Sequence, residues 1–329
     1  MSGIFIAGTG KYIPSAVVTN DDMAKIVDTS DEWIRERTGI RERHFSTGET
    51  TFQMGVEASR AAIARAGVEP ASIDMIIGTT VTPDYYYPSL ACIVQAAVGA
   101  ENAFCWDLNA ACSGFIYALD AAQSYLALGK ASTVLIVSSE ELSKQMDFTD
   151  RSSCVLFGDG AGAVVVRGGR GMYHSWLRSE GSSAAALTAR ALPNHSPYAA
   201  KGQAQADPYP MAEGSFIHMA GRDVYRFATR AMAEALRGAC ERASISPQDL
   251  EIIVPHQANV RIIRTAAEKL GVDMERMYVN LDRYGNTSSA SIPIALSELE
   301  TSGRLRRGDK IGLVGFGAGL TYGAAVLEY

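Results

Sequence analysis

Ala66-Gly67-Val68-Glu69-Pro70-Ala71-Ser72-Ile73-Asp74-Met75-Ile76-Ile77 has an echo 177 residues on, Ala243-Ser244-Ile245-Ser246-Pro247-Gln248-Asp249-Leu250-Glu251-Ile252-Ile253-Val254. Each copy reads as a helix end, a short Pro-containing loop and a hydrophobic strand. A second echo follows in the same order: Gly158-Asp159-Gly160-Ala161-Gly162 and, 157 residues later, Gly315-Phe316-Gly317-Ala318-Gly319, each a glycine-rich turn before a strand. Singly, such αβ loops resemble one another by chance. Two matches in one order, at offsets near half of the 329 residues, favour an internal duplication with its boundary near 170–180. The expected halves are residues 1–172, carrying a candidate nucleophilic cysteine, and 173–329, carrying a candidate histidine and asparagine.

Outward from these echoes the chain alternates short β-branched runs with amphipathic stretches, the α/β pattern. Expected strands are Met75–Thr80, Thr133–Ser138, Gly162–Val166, Glu251–Val254, Ile311–Val314 and Thr321–Leu327. Expected helices are Thr51–Ala66, Cys112–Leu128, Val224–Ala243, Val260–Leu270 and Pro293–Glu300. The opening residues read as a strand ending in a Gly turn, and without a basic, long apolar leader they do not read as a signal peptide. Residues 182–214, rich in Ser, Ala, Pro and Asn, form a long connection or lid.

Composition bounds the function. Hydrophobic residues at 47% supply a large core, and a net charge of −6 argues against whole-surface binding to nucleic acid or anionic membrane. The uncharged run from Ile311 to Leu327 is broken by five glycines into two β-like pieces rather than one membrane span. Cysteines at 92, 105, 112, 154 and 240 are odd in number and form no CxxC pair, which excludes a disulfide framework and a structural zinc site. A soluble, cytoplasmic protein is expected.

Three motifs carry the chemistry. In Trp106-Asp107-Leu108-Asn109-Ala110-Ala111-Cys112-Ser113-Gly114-Phe115 a strand-like approach leads through small residues to a cysteine at a helix start. The helix dipole there favours thiolate over thiol, and small neighbours admit a substrate carbonyl. The same cysteine reads equally as a buried structural residue. Val254-Pro255-His256-Gln257-Ala258-Asn259-Val260-Arg261 sets a histidine after a strand, where α/β proteins build sites, although a lone histidine is more often structural. Asn280 to Ser291 holds a Gly285-Asn286 turn, which fits a plain turn or an amide held for donation. Together Cys112, His256 and Asn286 supply a nucleophile and two neutral N–H donors for an oxyanion or enolate. A papain-like protease has the same residue order but not the Ala110-Ala111-Cys112-Ser113-Gly114 context.

These motifs, with Thr29–Ile34, Arg37–Arg43 and Phe157–Gly162, resemble β-ketoacyl-[acyl carrier protein] synthase III, a thiolase-like condensing enzyme family, from Gly8 to the C-terminus. Thiolases carry a second cysteine and elongating synthases a second histidine where this chain has Asn286. The resemblance implies a five-layered αβαβα thiolase-like fold, a homodimer, and no metal or redox cofactor, because a thioester already stabilises the carbanion. It implies acylation of Cys112 by an acyl-CoA, then attack by the enolate of malonyl-carrier protein held by His256 and Asn286. Backbone N–H groups of Cys112 and Ala318 form the implied oxyanion hole; Ala318 departs from the glycine of many relatives and needs a φ that suits an L-residue.

For CoA, the resemblance implies Trp33, Arg37, Arg151, Tyr225 and Asn259. For the acidic carrier protein it points to Arg222, Arg226, Gln257, Arg261 and Arg264. Arg222, Arg226, Arg230 and Arg237 fall within about 80° on a helical wheel, with no carboxylate on that arc. Tyr87 takes the position that in relatives comes from the partner subunit and caps the acyl pocket, which suits a short primer. The alternatives are a secondary-metabolism ketosynthase with a non-standard primer, and a silent partner subunit; the latter is disfavoured because all three catalytic positions are intact.

Overall fold

The protein is described by a computed structural model covering residues 3–191, 197–198 and 214–329. Its main strands are β1 (Gly3–Tyr12), β2 (Met75–Thr79), β3 (Phe104–Leu108), β4 (Thr133–Glu140), β5 (Gly160–Gly169), β6 (Tyr173–Ser179), β7 (Ile252–Pro255), β8 (Lys310–Gly317) and β9 (Thr321–Glu328). The helices used below are α1 (Asp31–Thr38), α2 (Thr51–Ala66), α3 (Leu90–Val98), α4 (Gly114–Ala127), α5 (Gly221–Ala243), α6 (Val260–Leu270) and α7 (Ser291–Thr301).

One sheet has the order β1-β5-β4-β2-β3 and the other β6-β9-β8-β7. In the first, β2 runs parallel to β4 and β3, while β5 is antiparallel to β4 and β1. In the second, β7 is parallel to β8, and β9 is antiparallel to β8 and β6. The second sheet thus repeats the first through four strands, and the two Pro-containing echoes both become a 3₁₀ turn leading into the parallel strands β2 and β7.

Strand parity sorts the core into layers. Val134, Ile136, Val164 and Val166 of the first sheet meet Ile311, Leu313, Ala325 and Leu327 of the second through α4 and α7, which lie between them. The alternate residues Leu135, Val137, Ala163 and Val165 face α2 and α3. Phe316, Tyr322, Ala324 and Val326 face α5 and α6. Helix, sheet, helix, sheet, helix is the expected five-layered arrangement. Both sheets are covered on each face, which is why their strands read as continuous apolar runs.

Two expectations need correction. Strand β1 does not end in a Gly turn. It runs on through Gly8 and Gly10 because both press on α2, where added Cβ atoms would come within 2.3 Å of Ala66 N and 2.2 Å of Ala58 O. The helix expected from Cys112 begins at Gly114, Cys112 lying in a separate 3₁₀ turn, Ala111–Ser113. Among the described residues no helix is long and apolar enough to cross a membrane. The long connection is described only in part; residues 192–196 and 199–213 lie outside the described residues.

Candidate active site

The Cys112 turn is built from both halves. Asp107, near the end of β3, accepts the Leu90 and Ala91 N–H groups at the start of α3 at 2.7 and 2.9 Å, fixing where the strand delivers the chain. Asn109 Oδ1 accepts the Ala111 N–H at 3.1 Å, and Ala111 takes a left-handed φ of 47°. The hydroxyls of Ser113 and Thr321 both donate to Ala110 O, at 2.7 and 2.9 Å, tying the turn to β9. Strand β8 passes so near that a Cβ on Gly317 would lie 2.5 Å from Cys112 N.

Cys112 is buried, and burial pushes its thiol up to about 12, with the Glu140 charge adding to the effect and Ser288 opposing it. The expected thiolate is therefore corrected: the turn does precede α4, but the sulfur is cut off from water, and burial holds it as a thiol at rest. All five cysteines are free. Cys112 lines a cavity of about 1230 Å³ together with Asn109, Tyr86, Ser288, Ala318 and Gly319. Ala318 has an ordinary negative φ and the left-handed strain falls on Gly319, so the methyl group costs no backbone conformation.

His256 follows β7 and continues its ladder, its N–H donating to Val314 O at 2.7 Å. Its ring stands edge-on to Phe316 with centroids 5.2 Å apart. Burial drives its pKa down to about 3, so the imidazole is neutral. Nδ1 lies 2.8 Å from Ser291 Oγ, which also accepts the Gln257 N–H at 3.4 Å. Ser291 is buried, and no other acceptor for its hydroxyl is found among the described residues. Donation to Nδ1 satisfies that hydroxyl and leaves the imidazole proton on Nε2.

Asn286 sits on the turn after Gly285, whose φ is 62°. The turn is clamped by the first half, Asn286 N–H donating to Leu156 O at 2.8 Å and Gly158 N–H to Asn286 O at 3.0 Å. Gly158 must be glycine, since its Cβ would meet Tyr284 O at 2.3 Å. Asn286 Oδ1 accepts the Ser288 N–H at 2.8 Å, which turns the amide so that its NH₂ is the donor left over.

Four of the residues expected at CoA, Trp33, Arg37, Arg151 and Asn259, are in contact with one another, and Tyr225 reaches α6 separately. The Arg37 and Arg151 guanidiniums lie 4.8 and 5.5 Å from the Trp33 ring centroid. Asn259 caps α6 and its Nδ2 donates to Arg37 O at 3.0 Å, while Tyr225 OH lies 3.4 Å from Thr265 Oγ1 on α6. None of the five lines the cavity at Cys112.

The expected docking set and the arginine arc on α5 each need one correction. Gln257 is 1% exposed and spent inside, its Nε2 donating to Pro255 O and Tyr278 O and its Oε1 accepting Asn280 N–H. It holds the His256 loop and cannot meet a partner. On α5, Arg230 is paired with Glu180 at 2.6 Å and Glu234 at 3.1 Å, and Arg237 donates to Lys269 O. Arg222, Arg226, Arg261 and Arg264 are exposed, with no ion pair among the described residues.

Tyr87 is 87% exposed and absent from its own chain's cavity, which Tyr86 lines instead. Of the long connection, Leu187, Thr188 and Arg190 also line it. Tyr86, Glu140, Ser288 and Ser291 were missed in the sequence. An acid closing a strand whose centre, residues 134–137, is wholly apolar was the available signal for Glu140; nothing distinguished the serines within a Ser-rich run.

Residues 106–184 match the family described as 3-oxoacyl-[acyl-carrier-protein] synthase III, and residues 240–329 match its C-terminal part. The chain is 48% identical to a β-ketoacyl-[acyl-carrier-protein] synthase III of Clostridium acetobutylicum, covering 100% of this chain and 99% of the relative. The crystal structure of 3-oxoacyl-[acyl-carrier-protein] synthase III from Aquifex aeolicus superposes with a TM-score of 0.90 at 44% identity, covering 99% of this chain and 100% of that one. A priming β-ketosynthase of the R1128 polyketide pathway superposes with a TM-score of 0.87 at 37% identity, covering 99% and 96%.

Proposed function

Because this chain belongs to the β-ketoacyl-[acyl carrier protein] synthase III family, we propose that Cys112, His256 and Asn286 share out its reaction. That reaction is the decarboxylative condensation of an acyl-CoA primer with malonyl-carrier protein, giving 3-oxoacyl-carrier protein, CoA and CO₂ in fatty acid synthesis. The polyketide alternative is not favoured, the relatives named for the fatty-acid enzyme being the more similar.

The Cys112 sulfur attacks the primer thioester, and the oxyanion is met by the N–H groups of Cys112 and Ala318. CoA leaves and malonyl-carrier protein enters. As CO₂ departs, negative charge grows on the thioester oxygen, and His256 Nε2–H and the Asn286 amide donate to it. Neutral donors stabilise the enolate without protonating its carbon, and burial keeps His256 neutral. No metal or redox group is called for, since the thioester itself delocalises the carbanion. Trp33, Arg37, Arg151, Tyr225 and Asn259 hold CoA, and Arg222, Arg226, Arg261 and Arg264 meet the acidic carrier protein.

We further propose a cytoplasmic homodimer with the chain divided at 172/173. In support of the dimer, edge strand β3 pairs only with β2 yet leaves Phe104 exposed and Trp106 and Leu108 half-buried. An open edge of that kind invites a second copy. Tyr87 then reaches the partner's acyl pocket, where its bulk selects a short primer.

The observation that carries this reading is the Cys112 thiol at a large cavity, in a turn tied to the half that holds two neutral donors. Intact mass after mixing with a panel of acyl-CoAs tests it. The expected result is one acyl adduct, abolished in Cys112→Ser; no adduct with any acyl-CoA overturns it.

A further inference from the structure

Glu298, in the second half of α7, accepts six hydrogen bonds, and no step of the reaction described above uses it. Its Oε2 accepts Asn280 Nδ2 at 2.8 Å, and Tyr278 OH and one Arg283 amino group at 3.1 Å each. Its Oε1 accepts Tyr284 OH at 2.7 Å, and Lys11 Nζ and the other Arg283 amino group at 2.9 Å each. Five of the six bonds come from one short segment, Tyr278 to Tyr284. Burial works against the charge, but these bonds prevail and hold the pKa at about 2, so the group is an anion at neutral pH.

The clamped segment joins the two loops that carry His256 and Asn286. At its start, Tyr278 N–H donates to Ile253 O on β7 at 2.8 Å. Gln257, the neighbour of His256, grips the same stretch by its backbone, donating to Tyr278 O at 2.9 Å and accepting Asn280 N–H at 3.0 Å. Tyr278 and Asn280 are thus held twice, by main chain to the His256 loop and by side chain to Glu298. At its end a single helical turn, Leu281–Tyr284, leads into Gly285 and Asn286, Gly285 N–H donating to Leu281 O at 2.9 Å. Arg283 and Tyr284 on that turn bring the Glu298 clamp to within two residues of Asn286. Neither Glu298 nor any of its donors lines the cavity at Cys112. Helix α7 also carries Ser291, whose hydroxyl orients the His256 ring. Seven residues separate Ser291 from Glu298, which sets both on one face of the same buried helix.

We infer that Glu298 is a positioning residue for condensation, holding the His256 and Asn286 loops at the one spacing at which both donors meet a single enolate oxygen. This rests on His256 and Asn286 being the enolate donors. Each donor comes from its own loop, and a hydrogen bond weakens steeply once distance or angle departs from its narrow range. A displacement of about 1 Å in either loop therefore costs one donor, and with it up to about 100-fold in rate. Glu298 removes that freedom by tying the segment between the loops to the helix that already fixes the His256 ring. The isosteric Glu298→Gln keeps the side chain's size but sets an NH₂ group against N–H and O–H donors, so one side of the clamp must open. The Cys112 turn takes none of its bonds from this clamp, and acylation is independent of it.

The test measures acylation by an acyl-CoA and condensation with malonyl-carrier protein separately on the whole enzyme, with thermal melting to follow folding. In Glu298→Gln the condensation kcat should fall about 30-fold, while the acylation rate and the KM for malonyl-carrier protein stay within about twofold of wild type. Glu298→Asp, which keeps both acceptor oxygens, should recover part of the loss. Placed in an Asn286→Ala background, Glu298→Gln should cost much less than in the wild type, because one of the donors it aligns is gone; a role in stability alone would cost the same in both. Should Glu298→Gln fold poorly, Tyr278→Phe combined with Tyr284→Phe removes one donor from each oxygen and should give a smaller fall in kcat alone. Condensation near wild type in both variants, acylation falling in step with it, or full additivity with Asn286→Ala overturns the positioning role. His256→Ala and Asn286→Ala alone keep the two readings apart: if each loses condensation and keeps acylation, the donors stand whatever Glu298 does, and if both condense at the wild-type rate, both readings fall.

Discussion

Ser291 Oγ lies 2.8 Å from His256 Nδ1, and that bond decides which imidazole nitrogen faces the substrate as a donor. Ser291→Ala removes the donor to Nδ1, and the ring then loses both its orientation and its tautomer. Leaving such a group unsatisfied costs about 1–3 kcal/mol, so condensation should fall about tenfold to a hundredfold. Acylation by acyl-CoA should be unchanged, and Ser291→Thr should recover most of the loss. Stopped-flow acylation beside steady-state condensation separates the two; an equal fall in both steps would exclude the tautomer role.

Gly317 and Gly315 give a contrasting pair on β8. A Cβ on Gly317 would sit 2.5 Å from Cys112 N, whereas one on Gly315 finds its nearest atom, Ser113 Cα, at 3.5 Å. Gly317→Ala must push the nucleophile's turn away from the strand that delivers Ala318, at a cost of about 1–3 kcal/mol. Acylation should drop at least about tenfold in Gly317→Ala and stay near wild type in Gly315→Ala. Comparable rates for the two variants would mean that the close passage of β8 is not what places the oxyanion donors.

Much of this was legible in the sequence, and its limits have physical causes. Helices α2 and α6 fall at their expected ends because capping residues Thr50 and Asn259 and terminal Gly67 and Gly271 mark them. Helix α3 escaped notice because Leu90–Val98 is short and apolar except for Gln95, so that its run of residues does not separate helix from buried strand. Cys112, His256 and Asn286 stood out by motif. The charge state of Cys112 did not, because the reading weighed a local dipole and could not see burial by the other half. Gln257 failed similarly: the resemblance pointed to a docking role, while its partners Tyr278 and Asn280 come from a loop over twenty residues away.

His256 also couples the site to acid stability. Its folded pKa of about 3 lies below the ordinary value of 6.5, so the unfolded chain binds the extra proton between those limits. Its contribution is therefore full above pH 6.5 and is lost as pH falls toward 3. Over the step from pH 7 to pH 5 this amounts to roughly 2 kcal/mol. Urea unfolding at both pH values should show His256→Asn losing less stability than wild type by about that amount. Parallel losses would mean that the buried imidazole is protonated in the native state.

The carrier surface is best tested by comparing exposed arginines of α5 and α6 that differ in their partners. Arg226 and Arg261 are exposed without an ion pair among the described residues, whereas Arg230 is already neutralised by Glu180 and Glu234. Arg226→Glu and Arg261→Glu should each raise the KM for malonyl-carrier protein about tenfold, more at low salt, while acylation by acyl-CoA is spared. Arg230→Ala combined with Glu234→Ala leaves the local charge unchanged and should leave that KM near wild type. Because the field of free charges steers the encounter, the ranking should collapse as ionic strength rises. A ranking that survives high salt, or an acylation rate that falls in step, would place these arginines in the fold or at CoA instead of under the carrier protein.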